Sequence, residues 1–247
     1  MVHEHSFRVA LAALLGLIAA GGNLLGGYFV VYREWPRRYL QYFVALGAGY
    51  MLSVAFLEVI PESVHLGGEN ALIYVLAGFF LVHLFEHTIA PHFHFGEETH
   101  TEELQHSHAQ SAIFLGLAIH TFFDGVAIAS GFLVSTWLGV LLFAAVFLHK
   151  LPEGFTVASV VMAKSKSKRN AVRAAGLLGA ATLAGVLLTS QLEAQLKYAL
   201  PLSGGVTLYV AATDLLPEVN KEPNWRMALL VFVGVATMLI LKLLFNL

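Results

Sequence analysis

His120-Thr-Phe-Phe-Asp124-Gly125-Val-Ala-Ile-Ala129-Ser130 and His149-Lys-Leu-Pro-Glu153-Gly154-Phe-Thr-Val-Ala158-Ser159 say nearly the same thing twice. Each sets a histidine four residues before a carboxylate, then a glycine, then Ala-Ser. Residues i and i+4 of a helix share a face, so each stretch presents one imidazole and one carboxylate together. Two such helices facing each other offer two ring nitrogens and two carboxylates, a donor set that suits a divalent transition metal. Both stretches lie inside apolar sequence, where ionisable groups are costly and point to function by default. At about 1.5 Å rise per residue, His120 and His149 fall near the bilayer midplane of their segments.

Composition identifies the solvent. Of 247 residues, 57% are hydrophobic and 12% charged, against roughly 25% charged in soluble domains, and the mean hydropathy is +0.73. A membrane protein is expected, with the lipid bilayer as a partner and no nucleic-acid partner. The chain has no cysteine, so disulfides and thiolate ligands are excluded. The apolar run from Phe7 reads as a helix and not a signal peptide, because no small-residue cleavage site followed by a soluble domain appears.

A spanning helix takes about 20 apolar residues. Eight segments qualify, roughly 7–32, 39–61, 70–90, 109–133, 137–163, 172–190, 198–217 and 225–245. They lack the alternation of barrel strands. The expected fold class is an all-α membrane protein with eight transmembrane helices, forming a single multi-pass transport domain over residues 1–247.

Lys and Arg set the orientation. Arg33, Arg37 and Arg38, then Lys164, Lys166, Lys168, Arg169 and Arg173, then Lys221 and Arg226 all fall on one side of an eight-span chain. The other side holds Arg8, Lys197 and Lys242. Both termini are therefore expected outside the cytoplasm, in the plasma (cell inner) membrane. The third connection, a cytoplasmic loop at 91–108, carries His92, His94, His100, His106 and His108 with Glu97, Glu98, Glu102 and Glu103. Such a tract captures metal weakly, with His92 and His94 as candidate ligands. Just before it, His83-x-x-Glu86-His87 is a candidate exit site. The same short pattern occurs in one class of zinc protease.

Two further features concern the route and the site. The second segment ends Glu58-Val-Ile-Pro61-Glu62 and the seventh ends Asp214-Leu-Leu-Pro217-Glu218, with opposite directions through the membrane. That pattern predicts a 3+2+3 inverted repeat with a midplane site. Pro152 has no N–H to donate, which frees the Leu148 carbonyl and predicts a kink. Lys150 sits beside His149 and three residues before Glu153. A buried ammonium must pair, with Glu153 or Glu62 as partners, and this one is read as a fixed charge where a second metal would otherwise sit.

Taken together these residues resemble the ZIP (Zrt-/Irt-like) transporters of divalent metals, mainly zinc. The resemblance rests on the fourth-helix pattern His-Asn-x-x-[Asp/Glu]-Gly and the fifth-helix pattern His-[Asn/Asp/Glu/Lys]-x-Pro-Glu-Gly. The stretch from Leu208 to Glu218, the eight spans and the His-rich loop are also similar. The resemblance implies a binuclear centre in many members. Its first site corresponds to His120, Asp124, His149 and Glu153, with Met51 as a weaker ligand. Its second-site positions read Thr121, Lys150 and Gly179 here, so a single metal is implied. Members are often homodimers. The expected function is transport of divalent transition-metal ions toward the cytoplasm. Zn2+ is the expected substrate, and Fe2+, Mn2+, Cd2+ and Co2+ suit the same donors. The alternative is an intramembrane zinc-dependent hydrolase, in which an open metal position holds water and a carboxylate acts as base. The inverted repeat and the inner histidines favour transport and a protein that is not an enzyme.

Overall fold

The computed structural model describes residues 2–32, 37–88, 107–221 and 224–244. Among these residues, eight helical rods are long and apolar enough to cross a membrane. The first is α1 (Val2–Tyr32). The second is α2 (Arg37–Val54), prolonged through π-helical Ala55–Val59 into α3 (Ile60–Gly67). Then come α4 (Ala71–Thr88), α5 (Ser107–Val134), α6 (Thr136–Ser165) and α7 (Lys168–Thr189). The seventh rod joins α8 (Leu196–Tyr209) through π-helical Val210–Leu215 to α9 (Leu216–Asn220), and α10 (Trp225–Leu244) is the last.

The connections follow from local chemistry. Ser135, in extended conformation, separates α5 from α6, and its hydroxyl accepts from the Leu138 N–H at 3.1 Å. Ser167 caps α7 in the same way, accepting from Asn170 at 3.3 Å. Gly68, at φ 67°, turns the chain out of α3.

The second rod runs further than its proline suggests. The sequence places its end at Pro61-Glu62, and the helix continues to Gly67. The wide turns of Ala55–Val59 come first, so Pro61 falls in the first turn of a new α-helical stretch. There a missing N–H removes no intrahelical bond. Pro217 sits the same way after Val210–Leu215. Pro152 also lies inside a helix that continues, since α6 stays α-helical from Thr136 to Ser165.

Side chains such as Ile73, Phe80, Phe232 and Leu243 face outward from α4 and α10, as lipid-facing surfaces require. Lipid is as apolar as leucine, so helices associate through close packing and small residues. Here the contact is backbone on backbone. A Cβ on Gly125 of α5 would lie 2.0 Å from the Thr182 oxygen of α7, and one on Gly185 of α7 would lie 2.1 Å from the Phe122 oxygen. Gly154 of α6 and Gly26 of α1 lock in the same reciprocal manner, against the oxygens of Asn23 and Leu151. These two locks fix the rotation of α5 and α6, and so the direction of the side chains they carry.

Candidate metal centre

α5 and α6 cross with His120, Asp124, His149 and Glu153 turned toward each other. One ligand atom from each of the four lies within 4.8 Å of all the others. The group is sealed, with His120 4% exposed, Asp124 1%, and His149 and Glu153 0%. His120 Nε2 lies 3.0 Å from Asp124 Oδ2, and His149 Nε2 lies 3.3 Å from the same oxygen. The two Nε2 atoms are 3.4 Å apart. A tetrahedral zinc with bonds of about 2.0 Å holds neighbouring ligand atoms about 3.3 Å apart. These three atoms therefore have the spacing of one tetrahedral face.

The imidazole of His149 is oriented from behind. Its Nδ1 donates to the Ala145 carbonyl, one turn earlier on α6, at 3.0 Å. A carbonyl oxygen only accepts, so the neutral ring carries its proton on Nδ1 and turns the Nε2 lone pair into the cluster. That lone pair faces Asp124 Oδ2, another acceptor. A cation between them relieves the arrangement.

Lys150 is buried in the same place, 0% exposed. Its Nζ lies 2.6 Å from Asp124 Oδ2 and 2.5 Å from Glu153 Oε2, and 3.2 Å from Thr121 Oγ1. The Thr121 hydroxyl in turn donates to the other Glu153 oxygen. The second carboxylate is thus tied to Lys150 and Thr121, while the first bridges Lys150 and both histidines. Two carboxylates and one ammonium leave a net single negative charge.

The other candidate residues are placed differently. Met51 is 0% exposed and belongs to the central apolar core with Ala145 and Val157. Gly179 is a packing position, where a Cβ would lie 2.8 Å from the Ala20 oxygen of α1, so a longer ligand side chain does not fit. On α4, the rings of His83 and His87 lie with centroids 4.0 Å apart and their planes tilted by 34°, and Glu86 accepts from the Tyr209 hydroxyl at 2.7 Å. Among the described residues these three do not converge as the central four do. His92 and His94 lie outside the described residues.

Two pairings were not evident from sequence. Tyr209 reaches Glu86 from 123 positions away. Asp214, 5% exposed, lies in the second π-helical segment, where the Thr213 hydroxyl donates to it at 3.2 Å. The acidic residue before Leu-Leu-Pro217 was the available signal for Asp214, and no local pattern signalled that Tyr209 reaches Glu86.

The model of the ZIP Zinc transporter family matches residues 94–242. The chain belongs to that family. A zinc transporter ZIP13 homolog of Drosophila melanogaster is 31% identical over 165 residues, covering 61% of this chain and 46% of its own length. This chain thus spans about half the length of that fly relative. An uncharacterised protein of Methanocaldococcus jannaschii is 26% identical over 230 residues, 92% of each chain. Zinc transporter ZIP9-B of Xenopus laevis is 26% identical over 260 residues, 84% of each. As a ZIP family member the chain is an integral membrane metal-ion transporter and not an enzyme, which removes the hydrolase alternative.

Proposed function

We propose that this chain moves divalent transition-metal ions, Zn2+ foremost, toward the cytoplasm through a midplane site made by His120, Asp124, His149 and Glu153. The observation that carries the reading is the tetrahedral spacing of two Nε2 atoms and one carboxylate oxygen, sealed between α5 and α6. Radioactive zinc uptake into liposomes, with and without the protein, tests it. Equal uptake in the two samples overturns it. The outside termini rest on the Lys and Arg distribution, and the inward direction on the histidines that this orientation puts at the inner end of α4 and in the loop after it. Iron, manganese, cobalt and cadmium suit the same donors.

The 3+2+3 inverted repeat belongs to the same proposal. Its support is that packing partners come in matched sets. α1 lies on α6 as α7 lies on α5, and α10 lies on α2 as α4 lies on α8. The two π-helical segments each place a carboxylate three residues before a proline, at Glu58 and at Asp214. A site between such halves can open to either side in turn.

Lys150 limits the site to one metal in this reading. One divalent ion turns the net single negative charge of the cluster into a single positive one, and a second would add two more. Unit charges a few ångströms apart repel by several kcal/mol even at an effective dielectric of about 20. Native protein is expected to hold one metal per chain, and Lys150→Asp to shift toward two. Elemental analysis of purified protein lacking Glu97 to His106 checks this. Two central metals in the native protein, or one still in Lys150→Asp, would sink it.

His83, Glu86 and His87 then form an exit site at the inner end of α4, beside Tyr209. The His-rich loop feeds or buffers metal there. Deleting Glu97 to His106 is expected to lower uptake only in part, because the midplane donors are untouched. Complete loss of transport with normal expression would make the loop obligatory.

A further inference from the structure

The last rod ends beside the first π-helical segment. Lys242 of α10 sets its ammonium 2.7 Å from the Glu58 carboxylate and donates to the Leu57 carbonyl at 3.0 Å. Both acceptors lie within Ala55–Val59, where wide turns displace backbone groups from the regular ladder, as they often do at functional sites. The two side chains are 32% and 15% exposed. The pair is neither sealed in the core nor free of it. Seven residues inward on the same rod is Met51, fully buried in the core.

The matched place on the seventh rod has different surroundings. Asp214 stands three residues before Pro217, as Glu58 stands before Pro61. The Thr213 hydroxyl donates to it at 3.2 Å, and the neighbouring α4 carries no lysine or arginine. One of the two matched carboxylates faces a tethered cation. The other has the Thr213 hydroxyl beside it.

We propose that Lys242 is a tethered competitor for the arriving metal. Its ammonium fills the cation position made by the Glu58 carboxylate and the Leu57 carbonyl, at the outer mouth of the route, and a divalent ion displaces it to come in. This rests on the transport reading above. A divalent ion brings twice the charge to the same two oxygens. The lysine stem is flexible and strongly hydrated at its tip, and its partial exposure lets it swing aside. Lys242 therefore sets the outside concentration at which the transporter half-saturates, and leaves turnover at saturation alone.

The test is zinc flux into liposomes by the full chain, with KM and kcat measured separately. Lys242→Gln is expected to lower KM by roughly two- to fivefold, the size that release of a partly exposed ion pair allows, with kcat unchanged. Lys242→Met, which keeps the apolar stem against the rod, serves as a second variant with the same expectation. Lys242→Arg is expected to keep the native KM. Glu58→Gln raises KM, and adding Lys242→Gln to it produces no further change. An unchanged KM in both neutral variants overturns the inference, as does a fall in kcat alone, which marks a structural staple. Absence of flux in the native protein overturns the transport reading instead.

Discussion

Liposomes carrying the His120→Ala protein are expected to take up zinc no faster than empty liposomes, while the purified variant keeps its helical content. The imidazole of His120 supplies one corner of the three-atom face, 3.0 Å from Asp124 Oδ2 and 3.4 Å from His149 Nε2. Loss of an outer partner of a ligand typically costs roughly 10- to 100-fold in metal affinity, and loss of the ligand itself exceeds that. The fold does not depend on the ring, because the helices around it are held by backbone contacts at Gly125 and Gly154. The space left is polar on the side of Asp124 and Lys150, and water can fill it. Uptake at the native rate by well-folded His120→Ala protein would remove His120 from the site. Zinc binding by equilibrium dialysis gives a second readout.

The other large effect changes no polar group. Gly154→Ala is expected to destabilise the protein by more than about 3 kcal/mol, the upper end of ordinary overpacking. The added methyl would lie 2.1 Å from the Asn23 oxygen and 2.7 Å from the Asn23 Cα. Both are main-chain atoms, so no rotamer change relieves the clash and α1 has to move off α6. Gly26 resists that movement, being set against the Leu151 oxygen from the other side. Since α6 carries His149, Lys150 and Glu153, the site loses its alignment along with the fold. The control is Gly21→Ala on α1, where a Cβ meets nothing within 4 Å. Thermal unfolding in detergent compares the two. A Gly154→Ala protein as stable as the Gly21→Ala protein would contradict the close contact.

How far the sequence could be read depends on whether a feature is local. His120 with Asp124, and His149 with Glu153, were legible because four-residue spacing on a helix forces the side chains onto one face. Eight spans were legible because lipid leaves the backbone few options. The ends of the second and seventh rods were not. Pro61 and Pro217 look like stops, and the π-helical turns that let the helix pass them have no residue signature of their own. Lys150 was placed beside Glu153 by spacing, but its 2.6 Å contact with Asp124 depends on the rotation of α5 against α6. That rotation is set by glycine contacts between helices distant in sequence. The partnership of Tyr209 with Glu86 and of Lys242 with Glu58 is hidden for the same reason.

The glycine contacts also divide the molecule by stiffness. The closest backbone approaches join α1 to α6, α5 to α7 and α7 to α1, or else α10 to α2 and α8 to α4. Among the described glycines, none of these approaches links the first set of helices to the second. Where α2 meets α6, a Cβ on Gly47 would still stand 3.6 Å from the Leu148 side chain, an ordinary contact. Shear inside either set drives a carbonyl into a neighbouring main chain. Shear along the face between them only trades one side-chain contact for the next. The molecule therefore has a compliant seam, and all four donors, with Lys150 and Thr121, are mounted on one side of it. A slip along that seam would carry the cluster as one rigid berth.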